Sequence, residues 1–569
     1  MTAPGAPRGK VLVLGRDERA FLAVIRSLGR AGLTVHVAWC PRDAIAARSR
    51  WVDAVHDLPP YTPDDDTWKH ALTQLLDRER YDLVVPCSDP TLIPLQLHKD
   101  ELAAHARLYT LSDRAYAVAF DKRASHELAA SLGIAVPRER VVTAPVDADA
   151  LRAEFGLPLV LKPRASFEAR DLARKQVVRT IAEPDALART LGALPPGVEV
   201  LVQEVVPGIG VGIELLAERG ALLAVFQHAR VHEPRRGGGS SYRVSEAPTP
   251  ALVDAAAALM RALEWTGVAM VEFRVDRARG TSAFLEINGR FWGSLPLATA
   301  AGADFPCWLY ELLVEGRRTF PATYRTGLYV RNVVRDAAWI RENRAAPAAV
   351  RVPLRRVLGE AARVLVGRER WDTFSADDPA PGIVELARLA GRLATRVAAQ
   401  ASTAVANLPA ARRARALRAR QALADADQVL FVCKGNICRS PFAEAYARRA
   451  LAGKSVASSG YFPRSDRLAP PEAVEAAQEM GVDLAPHRSA VLTGEQIDAA
   501  DAVFVFDDEN VRTVQAQFPE SRAKIHRLAD LSMNGDPVIA DPYGRSLDDF
   551  RKTYRTIARL LDGAGSSMR

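Results

Sequence analysis

Apolar residues fall in short dense runs at the start of the chain. VLVLG (11–15), LTVHVAW (33–39) and DLVVPCS (82–88) have strand length and little polar alternation. Such runs predict strands buried on both faces, as in a parallel sheet. The stretch 18–31 carries helical spacing between the first two, so residues 10–115 read as an α/β unit. Gly15 closes the first run, but no G-x-G-x-x-G follows it, which leaves a dinucleotide site without support. Beyond it, DKRASHELAASLG (121–133) predicts a helix. Strands are expected at 157–163, 198–206, 212–218, 221–229, 267–276 and 282–289, with helices at 250–265 and 291–315. RRGGGSSYR (235–243) interrupts the pattern as a loop. Residues 321–425 are rich in Arg and Ala with a mostly helical pattern, interrupted near Pro409, and predict a connector. QVLFVC, from 428, opens another α/β domain.

Length then changes the picture. A chain of 569 residues exceeds one hydrophobic core, and the breaks divide it into 1–115, 116–320, 321–425 and 426–569. Composition is that of ordinary globular protein, 48% apolar and 25% charged. No apolar run is long enough to span a membrane, and no signal core precedes the first strand. Five scattered cysteines make no disulfide framework, so the expected compartment is a reducing cytoplasm. The net charge of +8 is arginine background: only 10 of the 76 basic residues are lysine. The cluster Arg412, Arg413, Arg415, Arg418 and Arg420 reads as a solvated linker helix rather than a surface for nucleic acid or an anionic membrane. Against that background a retained lysine suggests chemistry, as at Lys122 and Lys162.

Candidate chemistry is densest in VLFVCKGNICRSPFAEAYARR (429–449), a strand, a tight loop and a helix. Cys433 and Arg439 bracket Lys434, Gly435, Asn436, Ile437 and Cys438, giving C-x5-R followed by Ser440 and Pro441. Successive backbone N–H groups in such a loop make an anion nest, and the following helix adds its positive end. That field makes a thiolate nucleophile available at Cys433, and Arg439 offers a planar fork for phosphoryl oxygens. Ser440 can hydrogen-bond the sulfur, and Pro441 suits a first helical turn. The string closely resembles the low-molecular-weight protein-tyrosine-phosphatase family over about 428–565. That resemblance implies a general acid at Asp541 in Asp541-Pro542-Tyr543, with Tyr543 walling the cleft. It implies that Asn436, Ser458 and His487 brace the loop, and that Ile437 selects aryl phosphates over phosphoarginine. Cys438 is expected to resolve an oxidised Cys433. SSGY followed by FPRSDR departs from the family's loop after the second strand.

A second constellation is dispersed but ordered. Lys122 begins a helix and Lys162 follows LPLVLKP; Gln203-Glu204-Val205-Val206 ends a strand. Glu272 lies in VEF, and Glu286-Ile287-Asn288-Gly289-Arg290-Phe291-Trp292-Gly293-Ser294 follows the last strand. This order resembles the ATP-grasp superfamily over about 1–320. The resemblance implies lysines neutralising nucleotide phosphates, and Gln203, Glu204 and Val206 at adenine. It also implies Mg²⁺ or Mn²⁺ on Glu272, Glu286 and Asn288, and Arg290 on the transferring phosphate. The stretch after Lys162, PRASFEARDLARKQ, has no glycine where such proteins often carry a glycine-rich lid, and Gly237, Gly238, Gly239 and Ser240 suggest a loop near the acceptor.

The expected fold class is therefore multidomain α/β. A parallel α/β domain precedes an ATP-grasp fold, and a helical connector leads to a C-terminal parallel-sheet phosphatase fold. The expected function is an ATP- and Mg²⁺-dependent ligase joining a small carboxylate and an amine, fused to a phosphatase acting on a phosphorylated protein or small molecule. A nucleotide-sensing module that directs the phosphatase is the second reading.

Overall fold

The first run of apolar residues becomes β1 (Lys10–Leu14), whose Val11, Leu12, Val13 and Leu14 are fully buried. In the computed structural model, residues 8–16, 19–234, 239–348, 351–406, 408–532 and 538–568 are described. They fall into two units, Met1–Gly391 and Arg392–Arg569.

In the first unit β1 pairs in parallel with β2 (Thr34–Ala38) and β4 (Leu83–Pro86), and β3 (Ala54–His56) forms one edge, in the order β3-β2-β1-β4. The helix Arg19–Arg30 buries its apolar side on this sheet. A second sheet, all antiparallel, orders β5 (Glu139–Thr143), β8 (Glu199–Glu204), β6 (Leu159–Lys162) and β7 (Arg179–Ile181). The third sheet is the largest. It comprises β9 (Ile209–Glu218), β10 (Ala221–His232), β11 (Tyr242–Glu246), β12 (Gly267–Asp276), β13 (Thr281–Asn288), β14 (Tyr329–Arg331) and β15 (Glu369–Trp371), ordered β13-β12-β9-β10-β11-β14-β15.

Register on this sheet decides what meets what. Glu272 of β12 lies opposite Glu286 of β13 and, on its other side, Gly212 of β9; Gly212 in turn faces His228 of β10. Cross-strand partners share a face, so the carboxylates, the glycine and the histidine form one row. A Cβ on Gly212 would stand 2.3 Å from the His228 ring, and one on Gly210 would stand 2.5 Å from Arg230 Cδ. Two bare positions on β9 thus let side chains of β10 lie across it. His228 reaches to 2.9 Å from Glu214, and Arg230 to 2.6 Å from Glu272.

The stretch 321–391 is less helical than its composition suggested. β14 and β15, three residues each, extend the sheet, and a buried ionic cluster ties the helices Val333–Ala345 and Leu354–Ala361 to it. His232 sits 2.7 Å from Asp336 and 2.9 Å from Glu360, stacked on Trp339. Burial opposes its protonation, but the two carboxylates outweigh burial and raise its pKa. The expected closing helix at 291–315 is two helices, Leu295–Ala301 and Phe305–Leu313, broken where Gly302 takes φ +100°.

In the second unit β16 (Gln428–Cys433), β17 (Ser455–Gly460), β18 (Ala502–Val505) and β19 (Ile525–Arg527) form a parallel sheet ordered β17-β16-β18-β19. The basic stretch Pro409–Asp425 is a helix that packs on this unit instead of standing in solvent. Ala419 and Leu423 join its core, Arg415 lies 3.4 Å from Asp530, and Arg420 donates to the Leu531 carbonyl. Burying Ala416, Ala419 and Leu423 there is worth about 3 kcal/mol. A fragment beginning at 428 should therefore unfold about 1–2 M earlier in urea than one beginning at 408. Equal midpoints in a side-by-side titration would show that the helix contributes nothing to this unit.

Candidate functional site

β16 ends at Cys433, and the helix Arg439–Ala450 begins where the loop closes. Between them Asn436 takes φ +49°, a strained left-handed conformation for a residue with a Cβ, and it is fully buried. Its side chain accounts for the strain. Asn436 Nδ2 donates to Ser440 Oγ (3.0 Å) and Ser458 Oγ (2.8 Å), and Oδ1 accepts from the Ala490 N–H (2.8 Å). His487 Nε2 donates to the Asn436 carbonyl at 2.7 Å. The turn points the Asn436 N–H at Cys433 Sγ, 3.2 Å away, and Ser440 Oγ lies 3.1 Å from the same sulfur. Gly460 permits the packing, because a Cβ there would stand 2.7 Å from Asn436 N.

Arg439 is 1% exposed. Its Nη1 donates to Asp507 (2.6 Å) and to the Ile539 carbonyl (2.9 Å), and its Nη2 to Asp541 (2.7 Å). Its Nε is buried without a hydrogen-bond partner among the described residues. Tyr543 stands exposed beside Asp541, whose carboxylate accepts the Tyr543 N–H. Ile437 and Cys438 are buried, Gly435 accepts a hydrogen bond from Arg467, and Lys434 pairs with Glu509 at 3.5 Å. Burial, reinforced by neighbouring Cys433 and Asp541, pushes the Cys438 thiol pKa well up. A thiol held neutral attacks slowly, which opposes the resolving role expected of Cys438 while Cys433 is reduced.

The first unit gathers the dispersed constellation. Lys122 begins the helix Lys122–Ser131, capped by Asp121, and is buried with Nζ 3.1 Å from Ser166 Oγ. Lys162 ends β6, and burial lowers the pKa of both amines against the pull of Glu286. At Glu286 burial disfavours the charge, but Lys122 and Lys162 outweigh it and hold the carboxyl below its ordinary range. Asn288 Nδ2 donates to Glu286 at 3.2 Å. Glu272 is engaged differently: burial raises its pKa, and its oxygen is 2.6 Å from Arg230. Glu286 and Asn288 thus offer adjacent oxygens suited to a hard divalent cation, while Glu272 already holds a guanidinium. Among the described residues no three His, Cys, Asp or Glu side chains cluster as a metal site.

Gln203 is buried and donates to Glu139, Glu204 accepts the Arg138 N–H, and Val206 is half-buried. Arg290 pairs with Asp89 at 3.0 Å. The segment after Lys162 works through Arg and Ser: Arg164 pairs with Asp121, and Ser166 meets Lys122. Gly237 and Gly238 lie outside the described residues; Ser240 is buried under Arg243. A cavity of about 170 Å³ opens among Lys122, Ser166, Glu286, Asn288 and Asp89.

Family models match two separate stretches. Low molecular weight phosphotyrosine protein phosphatase matches residues 428–565, and ATP-grasp in the biosynthetic pathway with Ter operon matches 197–335. The probable low molecular weight protein-tyrosine-phosphatase EpsP of Ralstonia nicotianae is 37% identical over 134 residues, which are 24% of this chain and 90% of EpsP. The chain belongs to the low molecular weight protein-tyrosine-phosphatase family. The protein-arginine-phosphatase of Bacillus subtilis is 34% identical over 137 residues, 23% of this chain and 91% of that protein. The L-amino acid ligase structure from Bacillus licheniformis is 16% identical with a TM-score of 0.44, covering 57% of this chain and 79% of that one. The chain thus joins a domain matched by an ATP-grasp family model to a low molecular weight phosphatase domain. No described helix is long and apolar enough to cross a membrane.

Several residues that shape the phosphatase domain carried no sequence signal. Asp507 holds Arg439, Glu444 accepts from Ser458 (2.6 Å), and Arg467 reaches Gly435 from the unusual FPRSDR loop. In the ATP-grasp-like domain His126 links Glu139 (2.6 Å) to the Leu285 carbonyl (2.7 Å), bracing β13. The loop geometry makes a paired test. Asn436→Ala and Asn436→Gly both remove the side-chain network and should each cut aryl-phosphatase kcat about 10–100-fold. Glycine accepts the left-handed backbone, so Asn436→Gly should stay about 1 kcal/mol more stable than Asn436→Ala in thermal melts. A catalytic loss in the alanine variant alone would assign the residue's importance to backbone strain.

Proposed function

We propose that the chain is a bifunctional enzyme: an ATP-dependent carboxylate–amine ligase fused to a tyrosine-type phosphomonoesterase. The observation that carries the phosphatase half is Arg439, a buried clamp whose Nε has no partner among the described residues, closing the loop that opens with a sulfur already receiving the Asn436 N–H. The Cys433 thiolate attacks phosphorus, and Asp541 protonates the leaving oxygen. Water then opens the phosphocysteine, the Ser440 hydroxyl hydrogen-bonding the departing sulfur. At rest Arg439 Nη2 is paired with Asp541, so an arriving phosphate takes over the guanidinium and frees the carboxyl as acid.

In the ligase half a substrate carboxylate oxygen attacks the γ-phosphorus of ATP, ADP leaves, and an amine displaces phosphate from the acyl carbon. Lys122 and Lys162 meet phosphate charge, Gln203, Glu204 and Val206 face adenine, and Arg290 steadies the transferring group. Glu286 and Asn288 would hold Mg²⁺ or Mn²⁺, with Glu272 behind them on Arg230, and the cation would offset phosphate charge when bound. The four segments drawn from the sequence correspond to an acceptor-side domain, the nucleotide domain, an extension and the phosphatase, working in a reducing cytoplasm.

Two assays test this reading. Ile437 packs beside a flat ring and offers a guanidinium no hydrogen bond, so a fragment beginning at 408 should turn over phosphotyrosine at least tenfold faster than phosphoarginine in kcat/KM. A phosphoarginine preference would reverse the substrate assignment. In the full chain Asn288→Ala should abolish ADP formation from ATP, a divalent cation and pooled amino acids, and leave aryl-phosphate hydrolysis intact; Cys433→Ser should do the opposite. Loss of ADP formation in Cys433→Ser would mean one composite site. ATP binding without ADP release in the parent would favour the sensing module.

A further inference from the structure

Between the helix Leu354–Ala361 and β15 the chain makes a turn whose apolar side chains meet water. Val364 is 41% exposed, Leu365 88% and Val366 69%. A lone exposed apolar residue is ordinary, but three in succession at one point mark a contact surface.

The exposure is built into the backbone. The Arg368 N–H donates to the Arg363 carbonyl at 3.0 Å and the Gly367 N–H to the Val364 carbonyl at 3.1 Å, around Gly367 at φ +68°. This pair of bonds closes a helix end on a left-handed residue, and such an end usually covers itself by apolar contact between its two outer positions. Here those positions are Arg363 and Arg368, so no apolar side chain folds back and Val364, Leu365 and Val366 form the crest. Arg363 turns inward instead, 4.0 Å from the centre of the Tyr329 ring and donating to the Tyr242 hydroxyl at 3.0 Å. The pairing of β15 with β14 fixes the turn to the large sheet.

Guanidinium groups collar the crest. Arg325 Nη2 and Arg370 Nη1 both donate to the Gly367 carbonyl, at 3.2 and 3.4 Å, and Arg368 adjoins it in the chain. All three are exposed, and among the described residues no carboxylate pairs with them. The acids of this stretch face inward: Glu360 is engaged by His232, and Glu369 by Arg331 and Tyr242. An apolar point above a positive rim calls for an apolar interior beneath a negative one. A bilayer with anionic headgroups has that layering everywhere on its surface, and it closes around a convex point without a preformed pocket. Arginine suits the boundary, since its stem lies along apolar surface while its head stays with phosphate. A nucleic acid would answer the arginines but leave the crest in water.

We propose that the turn Val364–Val366 docks this chain on the surface of a bilayer containing anionic lipid. The three apolar side chains enter the boundary between headgroups and acyl chains, and Arg325, Arg368 and Arg370 remain among the phosphates. A single turn inserts shallowly, so attachment is reversible. The inference is independent of the ligase and phosphatase readings, and concerns where in the cell both would act.

Sedimentation of the full chain with vesicles tests it, using phosphatidylcholine alone or with about a third phosphatidylglycerol. Binding to the anionic vesicles should be about tenfold stronger or more, and should weaken as salt screens it. Leu365→Ser combined with Val366→Ser should cut that binding about tenfold. Arg368→Gln combined with Arg370→Gln should cut it about tenfold and flatten its salt dependence. Each pair sits on the surface, so melting temperature and aryl-phosphate hydrolysis should match the parent. A serine pair that binds like the parent would overturn the proposal, as would equal binding to the two vesicle types. A parent chain that sediments with neither would exclude the bilayer and leave an acidic-rimmed protein pocket as the occupant. Leu365→Trp gives a separate reading should the serine pair misfold. Its added fluorescence should move to the blue on anionic vesicles, and an unmoved emission would overturn the proposal as well.

Discussion

A charge withdrawn from water must find a partner, and both sites are organised by that demand. Arg439 is almost wholly buried and is held by Asp507, Asp541 and a backbone carbonyl. On the large sheet Arg230 answers Glu272, His228 lies against Glu214, and the two lysines answer Glu286. The cluster around His232 follows the same rule where no chemistry is assigned to it. What distinguishes the sites from that cluster is incompleteness. Among the described residues Arg439 Nε has no hydrogen-bond partner, and burial lowers the pKa of both lysines despite Glu286, so under the proposed function a phosphate would complete each arrangement.

The phosphatase half was legible because its chemistry is local. Cys433, Asn436, Arg439 and Ser440 sit within one turn and one helix start, so residue types and spacing almost determine the geometry. Strands with four or more buried residues, such as β1 and β16, were legible for the same reason: burial on both faces needs an unbroken apolar run. β14 and β15 were not, since three residues are too few to show alternation and their neighbours are Arg- and Ala-rich. The break at Gly302 hid inside a continuous apolar stretch, because a single glycine marks a helix end only once its backbone angle is seen.

Partners fixed by tertiary packing left no trace. Asp507 lies far along the chain from Arg439, and Asp89 farther still from Arg290; nothing near either aspartate marks it out. The basic run 412–420 misled in the opposite direction. Its arginines dominate the sequence, while the alanines and the leucine between them do the packing. Small residues at helical spacing carry little weight in a hydrophobic reading, yet they set how closely a helix can approach.

The bare backbone at Gly210 and Gly212 has a consequence for how damage to this protein would look. Both positions are valuable for what they lack, because the room above them is where Arg230 and His228 lie. An added methyl touches no ligand, breaks no backbone hydrogen bond and exposes no apolar surface. It would nevertheless part a cation from its carboxylate a strand away, and the carboxylate would answer by taking up a proton. A lesion at Gly210 would thus leave a buried carboxylate unpaired, lower the melting temperature, and surface as an altered acid–base profile as well. The fault would be electrical, and its cause would lie in the strand that carries no charge at the affected rows.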